Sequence, residues 1–167
     1  VLLTGVTVSN YLGGSDWPQF RGPGSQGSTD ATNLPLTWSD TENIVWKSEL
    51  PGFGASSPVA FADRLYVTCY SGYGVDEKEP GDLAQLKRHA LCLSRRDGKI
   101  LWQQEVKAEA PDKPFTGQYI TMHGYASGSP VTDGKDVFFF LGNAGVHAYA
   151  VDGRKLWQAN VGLRAHE

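Results

Sequence analysis

Nearly the same six residues occur twice in the chain, as DGKILW ending at Trp102 and as DGRKLW ending at Trp157. The two tryptophans lie 55 residues apart, and Trp46 lies a further 56 residues upstream. Such even spacing is typical of a structural unit that recurs along the chain, and it limits the possible folds more than any single motif does. The sequence therefore predicts a repeat architecture.

Each copy of the unit contains four short runs rich in Val, Leu, Tyr, Phe or Trp, separated by Gly, Asp or Pro. This pattern is typical of strands joined by tight turns. We expect strands at 57–61, 65–70, 90–94 and 100–106 in the first copy, and at 129–132, 136–141, 146–152 and 155–161 in the second. Four-stranded units at this period are propeller blades, so we predict an all-β fold, an antiparallel β-propeller with an incomplete ring.

The predicted propeller covers residues 16–167, with blades near 56–106 and 127–161 and a strand near 44–50. This strand precedes the first innermost strand, so it would complete the last blade of the ring as a closure strand. Because a ring typically has about four to eight blades, we expect the chain to be the N-terminal part of a longer protein.

Residues 1–15 begin with an apolar run that fades into small polar residues. The end of a signal-peptide hydrophobic region has this pattern, but a disordered polar tail explains it equally well, because the charged segment that would decide is not in the sequence. The first interpretation predicts an extracytoplasmic protein.

Charge and hydropathy exclude several function classes. With a formal net charge of −3, the chain lacks the basic excess that attracts nucleic acid. No window approaches the roughly 18 apolar residues that a membrane-spanning helix requires. The histidines share no metal-ligand spacing, so we predict no metal site; they are His89, His123, His147 and His166.

Two cysteines, Cys69 and Cys92, are too few to predict a disulfide framework. An antiparallel register between RLYVTCY and HALCLS places Cys92 opposite Val67, which puts both cysteines on one face of the sheet, one diagonal step apart. Diagonal pairs rarely satisfy disulfide geometry, so buried, reduced thiols are favoured. The cysteine count alone leaves the redox state open.

The repeated element resembles that of a known family. Gly98, Lys99 and Trp102 form a GKxxW element, and Ser-Pro pairs at 57–58 and 129–130 open both copies. Together they are similar to the pyrroloquinoline-quinone (PQQ)-type repeat of bacterial, quinoprotein-like β-propellers. The opening DWPQFRGPG resembles the start of secreted members of this family.

Some positions depart from the family pattern, which has Ala and Asp upstream of GKxxW. The first copy has Cys92 and Ser94 in those places, and the second has Arg154-Lys155 instead of Gly-Lys. The tryptophans fall at one register of the last strand, where a flat ring can cover the joint between blades. The predicted blade-packing set is Trp46, Gly98, Lys99, Trp102, Gly153 and Trp157.

The resemblance implies one of two functional classes. Some members resemble quinone-dependent alcohol or sugar dehydrogenases, which hold PQQ and calcium on the propeller axis; others resemble the outer-membrane assembly lipoprotein and related secreted scaffolds, which bind partners and catalyse nothing. The sequence has no adjacent cysteine pair and no cluster of Glu, Asn and Asp suited to calcium. We therefore favour a periplasmic or secreted bacterial scaffold without a cofactor, and keep a PQQ-dependent oxidoreductase as the alternative.

The candidate binding face follows from counting strand reversals. In a four-stranded meander, the loop between the second and third strands and the link to the next blade emerge on the same face of the disc. Both long insertions, 71–88 and 107–122, are of these two kinds, and long loops on a rigid scaffold often carry function. Aromatic anchors among mixed charges suit a protein or polysaccharide partner, although insertions that only cap the disc would have the same composition. The candidate residues are Tyr73, Phe115, Tyr119, His123 and Tyr125.

Overall fold

Strands dominate the secondary structure of the chain. The computed structural model describes residues 2–5, 15–32, 34–107, 112–116 and 122–161. Three one-turn 3-10 helices lie in connections, and no helix in the described ranges has the length and hydropathy to cross a bilayer. The strands there are β1 (Leu2–Gly5), β2 (Trp46–Glu49), β3 (Val59–Phe61), β4 (Arg64–Ser71), β5 (Lys87–Ser94), β6 (Ile100–Val106), β7 (Val131–Thr132), β8 (Asp136–Phe140), β9 (Val146–Ala150) and β10 (Lys155–Ala159).

Two antiparallel sheets of four strands form the two blades. Strands β3 to β6 make the first blade and β7 to β10 the second, and each strand pairs with the next one in sequence. The predicted fold class, all-β with antiparallel four-stranded blades, is confirmed. In the described ranges the two blades do not close a ring.

An aspartate holds each of three tight turns. The side chains of Asp97, Asp133 and Asp152 each accept a hydrogen bond from the backbone N–H two residues further along, over 3.4, 2.9 and 3.0 Å. Backbone N–H groups stabilise the ionised carboxyl and so lower the pKa of Asp133. These turns fix the short connections between neighbouring strands.

The two cysteines lie on opposite faces of the first blade, so the predicted register was wrong. Cys92 pairs with Tyr66 rather than with Val67, and Cys69 pairs with His89. Because successive side chains of a strand alternate, a slip of one residue moves Cys92 to the other face. Both thiols are buried and free. Burial raises the pKa of Cys92 to about 11 and that of Cys69 to about 12.

The main core lies between the blades, where aromatic rings pack edge to face. The rings of Tyr66 and Phe139, from opposite blades, have centroids 6.4 Å apart. Truncating a ring such as Phe139 to alanine would cost roughly 3–5 kcal/mol. A second core covers the other face of the first blade and includes Leu50, directly after β2. The inter-blade core consists of Val59, Tyr66, Ala90, Cys92, Val106, Val137, Phe139, Leu141, Ala144 and Tyr149, with Trp102 packed against it.

A tryptophan and a glycine turn form the joint between the two blades. The Trp102 indole lies so close to Gly153 that a Cβ added there would be 2.7 Å from Trp102 Cγ. The indole Nε1 donates a hydrogen bond to the backbone carbonyl of Val151 at 3.0 Å. The φ angle of Gly153 is 92°, so glycine is required for its backbone conformation as well as for space.

The same joint recurs between β2 and the first blade. The Nε1 of Trp46 donates to the carbonyl of Arg95 at 3.0 Å, and the Trp46 ring covers Gly98. In both joints the acceptor lies 49 residues after the tryptophan. Strand β2 therefore occupies the position of an outermost strand of a preceding blade. It pairs antiparallel with β1, a strand that the sequence did not lead us to expect within residues 1–15.

The second blade presents an equivalent face that no described segment covers. Trp157 is 47% exposed, and it contacts the ring of Phe138 at a centroid distance of 5.9 Å. Val131 is also exposed, whereas Val59, at the equivalent position of the first blade, is fully buried. Of the predicted packing set, Lys99 is a surface residue and pairs with Asp97.

The segment at 16–18 lies along the inner edge of both blades. Trp17 exchanges two backbone hydrogen bonds with Ala60 in β3, at 2.7 and 3.0 Å. The carbonyl of Pro18 accepts a hydrogen bond from the backbone N–H of Thr132 in β7 at 2.9 Å. This inner-edge strap satisfies backbone groups that an innermost strand would otherwise leave unpaired.

We predict that Gly153→Ala destabilises the chain by more than Gly81→Ala does. Both glycines have positive φ, which costs alanine roughly 1–2 kcal/mol. Gly81 has open space around a new Cβ, with the nearest atom 3.8 Å away, whereas Gly153 meets the Trp102 ring and adds roughly 1–3 kcal/mol of overpacking. Urea unfolding of both variants measures the difference, and equal losses would contradict a structural role for the joint.

We further predict two unreactive thiols in the native chain. Because Cys69 and Cys92 are buried on opposite faces with raised pKa values, a thiol reagent at neutral pH should label neither until denaturant is added. Labelling followed by mass spectrometry should then give two modified cysteines per unfolded chain. Recovery of an oxidised, unlabelled pair from the denatured chain would contradict this prediction.

Candidate functional site

Two long connections meet on one face of the blades. One joins β4 to β5, and the other joins β6 to β7. In a meander both must emerge at the same end of the strands, as the sequence predicted. We refer to residues 72–86, 112–116 and 122–126 as the loop platform.

A cluster of aromatic rings joins the parts of the loop platform. The ring of Tyr125 contacts those of Tyr70, Tyr73 and Phe115, with centroids 5.4, 5.9 and 6.1 Å away. Tyr73 and Tyr125 are only 5% and 8% exposed. The cluster therefore forms a small core under the loops.

The tyrosine hydroxyls of this cluster bind loop backbone. The Tyr70 hydroxyl donates to the carbonyl of Gly74 at 2.9 Å, and the Tyr125 hydroxyl donates to the carbonyl of Lys113 at 2.7 Å. The Tyr73 hydroxyl accepts from the backbone N–H of residue 115 at 2.9 Å. Burial raises the pKa of Tyr125, so it stays a neutral donor at neutral pH.

A buried ion pair ties the same loops together. Arg88, at the start of β5, makes a bidentate pair with Asp112, with Nη1 donating to Oδ2 at 3.0 Å. Its Nε donates to the carbonyl of Tyr125 at 3.2 Å, and the guanidinium lies 5.7 Å from the centroid of the same ring. The side chains of Arg88 and Asp112 are 2% and 10% exposed. Arg88 thus joins β5, the link between blades and the aromatic cluster at one point.

The structure brings three of the five predicted binding-face residues together. Tyr73, Phe115 and Tyr125 are in contact, but as the support of the platform and not as its exposed surface. His123 is exposed. Tyr119 lies outside the described residues. Their role in binding stays a prediction.

Sequence reasoning missed the residues that hold the platform and those that form its surface. The sequence did contain a signal for Arg88. It is the second residue of a strand that is apolar on both faces, and a charged residue in such a strand needs a partner. Three exposed apolar side chains lie near the cluster, either in sequence or through backbone pairing: Phe53, Val75 and Met122, the last 63% exposed. Phe53 is next to the cluster because its backbone pairs with that of Tyr70.

A serine and a histidine near the platform resemble a catalytic pair in distance only. Ser71 Oγ lies 2.7 Å from His89 Nε2, and the amide nitrogen of Gln103 lies 3.2 Å from Nδ1. Because that amide donates to Nδ1, the ring proton is on Nε2, and the histidine donates to the serine and does not act as its base. Burial lowers the pKa of His89, which keeps the ring neutral. The arrangement is a structural hydrogen bond.

Two features of the described residues bear on the alternative of a PQQ and calcium site. No three His, Cys, Asp or Glu side chains come together in the described ranges as a metal site requires. A polar cleft of about 220 Å³ between the blades opens beside the outermost strands, where Lys107 and Lys155 line it, and not at the innermost strands. The absence of a cofactor stays a prediction.

We predict that Asp112→Ala is strongly destabilising, by roughly 3–5 kcal/mol, because it leaves the Arg88 guanidinium buried without its carboxylate. Adding Arg88→Met should recover most of that loss. The control is Glu105→Gln, which breaks the half-exposed pair with Lys87 and should cost at most about 1 kcal/mol. Urea unfolding compares the variants; a small loss for Asp112→Ala would show that the pair does not hold the platform.

Comparison with known proteins agrees with the PQQ-like repeat that the sequence predicted. A family model described as outer membrane protein assembly factor BamB, of the PQQ-like repeat type, matches residues 36–165. No curated protein matches the chain. The match covers both blades and β2, so the chain belongs to the PQQ-like, BamB-like repeat family of β-propellers.

Proposed function

We propose that this chain is part of a non-catalytic, extracytoplasmic scaffold that binds a protein partner through the loop platform. The observation that carries the proposal is the construction of that platform. Its long loops are fixed from below by the buried Arg88–Asp112 pair and the tyrosine cluster, and they expose apolar side chains above.

A fixed loop surface favours binding, because little conformational entropy is lost when the partner arrives. The exposed Val75 and Met122 lie close in sequence to Tyr73 and Tyr125, two residues of the packed cluster. Apolar side chains next to a polar rim are typical of protein interfaces. Because the rings of Tyr73 and Tyr125 are buried, they cannot stack on sugars, and a protein is favoured over a polysaccharide.

The proposed location is the bacterial envelope, either periplasmic or secreted. One observation supports it: the membership of a family described by an outer-membrane assembly factor. The proposal needs no cofactor and no nucleic acid, and the net charge of −3 disfavours the latter.

The proposal predicts site-specific contact between the platform and a partner. A photo-crosslinking amino acid placed at Val75 or Met122 should give a discrete protein adduct in cells, detected by immunoblotting and identified by mass spectrometry. The matched controls are Arg96 and Lys135, which are exposed in turns at the opposite ends of the strands. Equal crosslinking from all four positions, or none from the platform, would contradict the proposal.

An independent experiment addresses catalysis. Purified protein mixed with PQQ and calcium should show no reduction of an electron-accepting dye with alcohols or sugars above the level without protein. Turnover that depends on both the quinone and the protein would contradict the non-catalytic proposal and favour a PQQ-dependent oxidoreductase.

A further inference from the structure

The tip of the loop platform carries an excess of negative charge. Between Val75 and Leu83 the chain has four acids and one lysine, all exposed. They are Asp76, Glu77, Lys78, Glu79 and Asp82. We call this segment the acidic lip.

Two of the four carboxylates shape the lip. Asp76 accepts hydrogen bonds from the backbone N–H groups of residues 78 and 79, at 2.8 and 3.3 Å. Asp82 accepts one from the N–H of Ala84 at 3.0 Å. A backbone bond from Gly74 to Pro80 closes the loop at 2.8 Å. The conformation of the lip is therefore set by its own residues.

The other two carboxylates, those of Glu77 and Glu79, do not bind the backbone of the lip. Among the residues that the structure describes, neither of these two side-chain carboxylates forms a hydrogen bond or an ion pair. The nearby cations of β5 are already used, since Lys87 pairs with Glu105 and Arg88 with Asp112. Exposed Lys113 and Lys78 offset only half of the lip's negative charge.

From this combination we propose that the partner presents a protein segment in which lysine or arginine flanks an apolar residue. The apolar residue packs on Val75 and Met122, and the basic residue pairs with Glu77 and Glu79. This inference rests on the proposed function and adds the chemistry of the partner. Complementary charge of this kind raises the association rate and selects against acidic partners.

The acidic lip also disfavours other occupants. A membrane surface rich in anionic lipids and a nucleic acid would both meet like charge. A neutral glycan could donate hydrogen bonds to the carboxylates, but it carries no complementary charge and would find the rings of Tyr73 and Tyr125 buried.

The experiment is a selection of random peptides on the immobilised chain, followed by affinity measurements on the enriched peptides. We expect enrichment of Lys or Arg beside an apolar residue, and binding that weakens as salt screens the charges. The double variant Glu77→Lys/Glu79→Lys should lose affinity by roughly tenfold or more. The charge-matched control Asp30→Lys/Asp63→Lys, at exposed positions outside the platform, should not.

The outcomes separate this inference from the proposed function. Enriched peptides without basic residues that still lose binding in Val75→Ser/Met122→Ser would overturn the charge inference and leave the platform as a protein-binding surface. Peptides that bind all variants equally, or selective binding of a glycan in place of peptides, would overturn both. Far-ultraviolet circular dichroism and a melting curve for each variant confirm that it is folded.

Discussion

The packing of a tryptophan on a glycine turn of the following blade is the contact on which the rest of the structure depends. It uses the whole indole: the ring covers the glycine, and Nε1 donates to a backbone carbonyl in the same turn. A side chain on the glycine would occupy the space of the ring, so each partner restricts the other. Because Trp46 and Trp102 make the same contact, the first blade is fixed on both of its faces, and residues 66–70 of β4 and 88–93 of β5 are buried between them.

The even spacing of the tryptophans made the fold predictable, but it conceals two different routes along the chain. Between Trp46 and Arg95, the long connection is the loop that joins β4 to β5. Between Trp102 and Val151, it is the link that joins β6 to β7. Both routes span 49 residues. Turn glycines, the four strands of each blade and the meander could be predicted from composition and alternation, because these are local properties. The same composition and alternation located the two long connections, one between β4 and β5 and one between β6 and β7.

What the sequence could not give depends on contacts between distant residues. The register of β4 on β5 differed from expectation by one residue, enough to move Cys92 to the other face, since both faces of these strands are apolar and alternation does not distinguish them. For the same reason the aromatic residues of the long loops were located correctly but their burial was not foreseen. A tyrosine in a loop looks like a surface anchor unless its partners are known, and here the partner is another loop. Arg88 and Asp112 lie 24 residues apart, so nothing local links them.

The inner-edge strap and the tryptophan joints act at different distances from the innermost strands. The strap ties β3 to β7 through backbone hydrogen bonds, while Trp102 ties the outermost strand β6 to the turn between β9 and β10. Two attachments separated across the width of a blade resist a torque that a single attachment would not. If one blade rocked against the other, both the strap and the Trp102 joint would have to break. A force applied to the long loops therefore acts on the two blades as one body.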